Sequence, residues 1–206
     1  KNSVGIIEDL MRQNAYTDIS GKEYTKEWCL EYWEKCMQNF CLNMEYFKGL
    51  SKEKFDKEIA EFLEKNPSFK RINDLNRYAG KSGYYIMILD KYKQVYVGTA
   101  LDIKRRIQQH WSKHLSFYRL LFPMYAVNTS VLSIDSFRSL DTTRILVRVS
   151  SQTYTREDEY INFFSPCFIC NRMAGGRIFE TSLVQIKMAE TARKRNFIMT
   201  HFPDDT

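Results

Sequence analysis

The stretch SGYYIMILDKYKQVYVGTALDIKRRIQQHW, residues 82–111, decides the fold of this chain. Its two β-type runs, YYIMIL and VYVGT, are separated by a polar turn, and this pattern predicts a hairpin over residues 84–99. A helix is predicted from about Leu101 to Trp111, with Asp102 in its first turn. The stretch therefore predicts a hairpin that leads directly into a helix carrying arginines and a histidine.

The rest of the chain predicts more helices and one more strand. TTRILVRV at 142–149 has the β-branched composition of a third strand. It is followed by YTREDEYINFFSP, which predicts a helix capped near Thr155. The first 80 residues predict helices alone, with Thr25 and Ser51 as N-caps of two amphipathic ones. Strands and helices are mixed in this order, which predicts the α/β (α+β) fold class.

Three parts of the chain differ in pattern. Residues 1–80 predict an all-helical N-terminal extension, and residues 81–176 predict a core with an irregular insertion at 112–141. Residues 177–206 predict a tail that packs on this core. A chain of 206 residues is long enough to bury a hydrophobic core of its own.

Basic residues are concentrated after the N-terminal extension. Residues 1–80 carry 13 Lys and Arg against 14 Asp and Glu, whereas residues 81–206 carry 18 against 11. Such a positive surplus favours a polyanionic partner through long-range attraction and counterion release. No apolar run approaches the roughly 20 residues that span a bilayer, so no membrane partner is expected. Since no signal peptide is visible either, the expected location is cytoplasmic.

The side chains near the hairpin suit attack on a phosphodiester bond. This reaction needs an activated water, neutralisation of the negative charge that grows in the transition state, and help for the departing oxygen. A tyrosine held near cations can orient the water or accept its proton, and the Arg106 guanidinium can clamp phosphate oxygens. His110, one helical turn later, can transfer a proton. Glu157 can hold a divalent metal ion on the scissile phosphate.

The motifs and their order resemble those of the GIY-YIG nuclease family. Gly83-Tyr84-Tyr85 stands at the place of the first motif, and Tyr96-Val97-Gly98 stands at the place of the second. DIKRRIQQH resembles the arginine helix of that family, with Arg106 ten residues after Tyr96. EDEYINFFSP resembles its carboxylate helix, in which a Glu is followed four residues later by Ile and nine residues later by Pro. The resemblance covers about residues 82–171, a little under half of the chain.

The resemblance implies a fold around a small three-stranded antiparallel sheet flanked by helices, and metal-dependent cleavage of nucleic acid. In this frame Tyr85 would help to activate the water, Tyr96 would line the same site, and Arg106 would contact the phosphate. Alternation along a strand sends Tyr84 and Tyr85 to opposite faces, so only one of the two can point into the site. The register of the first motif is therefore open between these two tyrosines.

The resemblance also implies the second half of the site. His110 would occupy a position that is His or Tyr in relatives, Glu157 would bind one Mg²⁺ or Mn²⁺ ion, and Asn171 is the candidate for the late Asn of the family. Asn171 lies fourteen residues after Glu157, whereas a spacing of twelve leads back to Glu159. Glu157 is favoured because positions 157, 160, 161 and 164 form one inward helical stripe.

Substrate contacts are expected from residues around the arginine helix, namely Thr99, Lys104, Arg105 and Lys113. Position 99 is Thr where many family members have Lys or Arg, so this phosphate contact is either missing or supplied by Lys104. The expected partner is double-stranded DNA, cleaved sequence-specifically by a restriction-type enzyme. A homodimer would match a palindromic target. A structure-specific or repair nuclease and a non-catalytic nucleic-acid-binding module stay open as alternatives.

Overall fold

An antiparallel sheet of four strands is the centre of the structure, a computed structural model that describes residues 25–112, 121–122, 131–132, 134, 137 and 139–171. Its strands are β1 Lys70–Ile72, β2 Gly83–Leu89, β3 Gln94–Ala100 and β6 Arg144–Val149, in the order β1-β6-β2-β3. β2 and β3 form the predicted hairpin. A separate pair joins β4 Leu121–Phe122 to β5 Val131–Leu132.

The expectation of a three-stranded sheet is wrong, because β1 adds a fourth strand. This strand comes from the extension that was predicted to be all helical, and it pairs with β6 from Lys70 opposite Val147 to Ile72 opposite Ile145. Its three residues are too few to show the alternation that marks a strand in a sequence. The strand conformation of β1 therefore comes from its pairing with β6 and has no local signal.

Four α-helices surround the sheet in the part of the chain that the structure describes: α1 Lys26–Gly49, α2 Lys52–Lys65, α3 Ile103–Ser112 and α4 Glu157–Phe163. Short 3-10 helices lie at Leu75–Tyr78, Ser139–Asp141 and Pro166–Phe168. The predicted caps of α1 and α2 are confirmed. Thr25 Oγ1 accepts a hydrogen bond from the Trp28 N–H at 3.2 Å, and Ser51 Oγ accepts one from the Lys54 N–H at 3.2 Å.

Alternation along β2 divides the hydrophobic core into two layers. The odd-numbered residues from Tyr85 to Leu89 pack on one face of the sheet with α1 and α3. The even-numbered residues from Tyr84 to Ile88 pack on the other face with α2 and α4. Helices from the predicted N-terminal extension thus cover both faces of the sheet, and all of β2 is buried between them.

The predicted tail, residues 177–206, lies outside the described residues. Most of the insertion at 112–141 does so as well, apart from β4, β5 and a few single positions. Among the helices that the structure describes, none has both the length and the apolar character needed to cross a membrane.

Gly83, the first residue of β2, is required by a close approach of two backbones. It has a φ of +151°, and a Cβ at this position would lie 2.1 Å from the carbonyl oxygen of Arg148. We expect Gly83→Ala to lower the free energy of unfolding by at least about 2 kcal/mol, because β6 must shift. Gly49→Ala is the matched control, since no atom lies within 4 Å of a Cβ there. Urea denaturation checks the pair, and equal stability of both variants would contradict the close approach.

Candidate active site

The hairpin places two tyrosines on the same face of the sheet. Tyr85 lies opposite Gly98 and Tyr96 lies opposite Met87, so the two tyrosines are diagonal neighbours. Their ring centroids are 6.2 Å apart. Tyr85 is completely buried, whereas Tyr96 is only half-buried and reaches the surface. The pair therefore runs from the core of the protein to its edge.

Gly98 makes room for the Tyr85 ring. A Cβ at position 98 would lie 2.4 Å from both Cζ and the hydroxyl oxygen of Tyr85. Since Gly98 has no positive φ, the requirement here is for space and not for an unusual backbone conformation. The glycine of the second motif thus sets the position of the Tyr85 hydroxyl.

Helix α3 brings His110 to both tyrosines. Its imidazole is buried on the inner face of the helix, and Nε2 lies 3.0 Å from the Tyr85 hydroxyl oxygen. The centroid of the imidazole is 4.9 Å from that of the Tyr96 ring in an edge-on arrangement. The three side chains form one contiguous cluster, as the resemblance implied.

Arg106 lies at the exposed edge of this cluster. Partial burial alone would lower its pKa, but the neighbouring hydroxyls of Tyr85 and Tyr96 raise the pKa of Arg106 overall. One of its guanidinium nitrogens is 3.4 Å from the Gln109 amide oxygen. The guanidinium is therefore a permanent positive charge that is open to solvent and close to the tyrosines, a suitable place to receive a phosphate.

Burial decides the protonation state of Tyr85. It raises the pKa of Tyr85 well above the ordinary 10.0, and the nearby Tyr96 and Glu157 raise it further, while Arg106 opposes the shift. Tyr85 is therefore a neutral phenol near neutral pH. A phenol oxygen in this state can accept a hydrogen bond from a water.

Tyr84 points to the opposite face and has a different task. Its hydroxyl lies 3.2 Å from Thr155 Oγ1 and accepts a hydrogen bond from the Arg156 N–H at 3.2 Å. The start of α4 was predicted near Thr155, and its N-cap is the next residue, Arg156, which makes no side-chain cap bond. Tyr84 thus fixes the start of the carboxylate helix, and Tyr85 is the tyrosine on the face of His110.

Glu157 and Glu159 differ sharply in their surroundings. Glu157 is 5% exposed, and its Oε2 is buried without a hydrogen-bond partner among the described residues. Burial and the charge of Asp158 raise the pKa of Glu157 to about 7, although Arg106 lowers it. Glu159 is exposed and forms an ion pair with Arg156, with the closest nitrogen and oxygen 2.5 Å apart. The predicted inward stripe of α4 is confirmed at Glu157.

The residues present fit a single divalent ion that is held in large part by water and substrate. In the part of the chain that the structure describes, no cluster of three His, Cys, Asp or Glu side chains is arranged to hold a metal ion. Mg²⁺ commonly binds through one or two carboxylates, several waters and phosphate oxygens. The unpartnered Oε2 of Glu157 is a suitable protein ligand of this kind.

Two predicted site residues are engaged within the fold. Both ends of the Asn171 amide pair with the Val97 backbone: its oxygen accepts from the N–H at 2.9 Å, and its nitrogen donates to the carbonyl at 2.7 Å. Thr99 lies opposite Tyr84, and its hydroxyl donates to the Gly83 carbonyl at 3.1 Å. Asn171 therefore positions the second motif, and Thr99 offers no exposed group to a phosphate.

The predicted basic contacts lie on α3 or beyond it. Arg105 is exposed and Lys104 is partly exposed at the start of the helix, where the Asp102 carboxylate accepts a hydrogen bond from the Arg105 N–H at 2.9 Å. Lys113 lies outside the described residues. The exposed arginines 105 and 106 thus follow each other along one helix, and only Arg106 reaches the tyrosines.

Sequence reasoning missed two residues that shape the site. Tyr84 was weighed only as an alternative to Tyr85, because alternation placed the two on opposite faces but did not indicate that Tyr84 contacts the start of α4. Asp158 was not considered, yet its charge raises the pKa of Glu157. Its position beside Glu157 was the available signal, since adjacent carboxylates oppose each other's ionisation.

The raised pKa of Glu157 predicts a dependence of stability on pH. The folded-state pKa of about 7 exceeds the ordinary 4.5, so the contribution of this group is complete below pH 4.5 and is lost as the pH rises to about 7. We expect Glu157→Gln to gain up to roughly 3 kcal/mol relative to the original protein between pH 4.5 and pH 8. Urea denaturation in EDTA at both values measures the gain. An unchanged difference between the proteins would contradict the raised pKa.

Comparison of the chain with protein-family models, curated proteins and solved structures finds no match. The grounds for a function are therefore the geometry of Tyr85, Arg106, His110 and Glu157, together with the order of the motifs that contain them.

Proposed function

We propose that the chain is a divalent-metal-dependent endonuclease that hydrolyses phosphodiester bonds in DNA. One observation carries the proposal: Tyr85 lies at hydrogen-bond distance from His110 and interacts electrostatically with the exposed Arg106 and the buried Glu157. Together they can transfer a proton, clamp a phosphate and hold a cation, which are the requirements of the reaction. The resemblance of the four motifs to the GIY-YIG nucleases supports the same chemistry.

Proton transfer in the proposed reaction runs through Tyr85 and His110. A water that donates a hydrogen bond to the Tyr85 oxygen attacks phosphorus and gives its proton to that oxygen, while the Tyr85 proton passes to Nε2 of His110. The raised pKa of Tyr85 suits this exchange, because the phenol never has to exist as a free phenolate. The bond from phosphorus to the departing oxygen breaks, and this oxygen takes a proton from solvent.

Arg106 stabilises the negative charge that develops on the phosphate in the proposed transition state. Its planar donor fork would bind the non-bridging phosphate oxygens, and its exposed position leaves room for a strand of DNA to approach. Glu157 would hold Mg²⁺ or Mn²⁺, and such an ion supplies further stabilisation of negative charge on the phosphate. The two groups interact electrostatically in the fold, so the phosphate is expected to lie between them.

Double-stranded DNA is the proposed substrate, and the surplus of basic residues after residue 80 supports a polyanionic partner. This class includes restriction-type homodimers that recognise two-fold symmetric sequences and enzymes that recognise a DNA structure, and the pattern of cleavage distinguishes them.

Cleavage of supercoiled plasmid and of a long linear duplex by the purified protein tests the proposal. Cleavage products that form with Mg²⁺ or Mn²⁺ and disappear with EDTA are the expected result, and discrete fragments among them would indicate recognition of a sequence. A smear of products without discrete sizes would support the nuclease and contradict recognition of a sequence. Retardation of DNA in a gel without any cleavage would contradict the enzyme and indicate a binding module.

A further inference from the structure

Exposed apolar side chains are gathered at one end of the sheet. Of the residues that the structure describes, three large hydrophobic ones are exposed: Leu101 at 70%, Val149 at 55% and Tyr154 at 47%. Gly83, at the start of β2, pairs with Val149 on one side and with Ala100 on the other, and Leu101 directly follows Ala100. Tyr154 lies in the loop that leaves β6 at this same end. We name these three residues the apolar rim.

The apolar rim lies beside the candidate active site. Leu101 is two residues before the start of α3, the helix that carries Arg106, and Gly83 is two residues before Tyr85. Tyr154 precedes Glu157 by three residues, which limits the distance between their Cα atoms to about 11 Å. The opposite end of the sheet, at the hairpin turn, instead carries the polar group of Asp90 and Arg144.

Tyr154 is held in place by the loop that contains it. Its φ of +70° is unusual for a bulky residue and persists only where the surrounding chain imposes it. Ser150 anchors one side of the loop, since its N–H donates to the Ser82 carbonyl at 3.0 Å and its carbonyl accepts from Ser82 Oγ at 2.7 Å. Tyr84 anchors the other side through the Arg156 N–H. The backbone of the loop is thus held on both sides of Tyr154, and the Tyr154 side chain is exposed.

The chemistry of the apolar rim fits nucleobases, and its neighbours fit phosphates. The exposed cations Lys81, Arg105 and Arg106 lie on the segments next to it, so a nucleic-acid strand that enters the site meets charge and apolar surface together. Aromatic and apolar side chains gain free energy from the flat face of a base. In a fully paired duplex these faces are covered by neighbouring bases, and only edges are open in the grooves.

We propose that the apolar rim holds one or more unpaired bases next to the scissile phosphate, with Tyr154 as the stacking residue. The preferred substrate is then duplex DNA that carries unpaired nucleotides at the site of cleavage, such as a frayed end, a bulge or a branch. This inference rests on the proposed function for the position of the scissile phosphate. It makes the enzyme selective for DNA structure, where the motif resemblance alone left sequence and structure selectivity open.

Fluorescence anisotropy in EDTA measures the inference without any cleavage. The probes are a fully paired duplex and the same duplex with a three-nucleotide bulge. We expect the original protein and Tyr154→Phe to bind the bulged duplex about tenfold more tightly, and Tyr154→Ala to lose this preference. Equal affinity of the original protein for both probes would overturn the inference, and so would a preference that survives in Tyr154→Ala.

A second measurement tests whether Tyr154 contacts a base and not the backbone. Removal of the bulged bases, to leave abasic sugars, is expected to weaken binding of the original protein by about tenfold and to leave Tyr154→Ala unaffected. Equal weakening of both proteins would overturn the assignment of Tyr154. Both measurements are made without metal, so they test the apolar rim independently of cleavage. A preference for bulged DNA without cleavage in Mg²⁺ would contradict the proposed function and still support the apolar rim as a binding site.

Discussion

Glu157→Gln is expected to lower the rate of metal-dependent DNA cleavage by about a thousandfold or more. The substitution keeps the shape of the side chain but removes the negative charge that would hold Mg²⁺ at the phosphate, a stabilisation of several kcal/mol in the transition state. Single-turnover cleavage of a labelled duplex, with Mg²⁺ in excess, measures the chemical step directly.

Glu159→Gln is the matched control for this prediction. Glu159 lies on the same helix two residues later, but it is exposed and paired with Arg156, so its loss is expected to change the cleavage rate by less than threefold. Since the buried Glu157 opposes stability at neutral pH, Glu157→Gln is also expected to be folded and at least as stable as the original protein. A variant that is folded and still cuts at full rate would exclude Glu157 as the metal ligand. Loss of cleavage in Glu159→Gln alone would identify Glu159, and not Glu157, as the metal ligand.

Arg106→Gln is expected to lower the rate of cleavage at saturating DNA by 100- to 1000-fold. Removal of one preorganised donor to a developing negative charge commonly has an effect of about this size. The loss should fall on the rate of the chemical step more than on binding, because the guanidinium is held beside Tyr85 and Tyr96, where the reacting phosphate would lie.

The neighbouring Arg105 offers an unusually close control. It is exposed on the same helix, but its hydrogen bond to Asp102 uses the backbone N–H, which every substitution except proline keeps. Arg105→Gln is expected to weaken DNA binding by a few-fold, to reduce the dependence of binding on salt, and to leave the saturated rate unchanged. Equal rate losses in both variants would mean that the helix contributes only general positive charge.

The hairpin and the three long strands could be predicted from the sequence because each has a local signal. YYIMIL and VYVGT show β-type composition on both sides of a turn, and the register of β2 and β3 follows from it. The caps Thr25 and Ser51 were predictable for the same reason, since a hydroxyl three residues before a free N–H is a local relation. β1 was missed because its conformation is imposed by β6.

The candidate site was predictable as a set of residues and less so as a set of roles. Alternation says that Tyr84 and Tyr85 face opposite ways, but only the packing of α3 on one face of the sheet shows which of them meets His110. Asn171 had the spacing of a site residue, and its engagement with Val97 depends on a contact between parts of the chain more than seventy residues apart. Such roles are tertiary facts, and spacing alone cannot supply them.

The contacts around Asn171 have a consequence for the stage of synthesis at which the proposed site is completed. The segment that ends in Asn171 lies along the outer edge of β3, with a bridge from Val95 to Ile169 and a bond from the Cys170 N–H to the Val95 carbonyl at 2.9 Å. During synthesis the tyrosines and Arg106 leave the ribosome well before this segment. A partly made chain can therefore contain Arg106 without Glu157 and without Asn171, which pairs with β3. For the nuclease proposed above, activity would then be expected only once the chain is long enough for Asn171 to pair with Val97, and unfinished chains would not cut DNA.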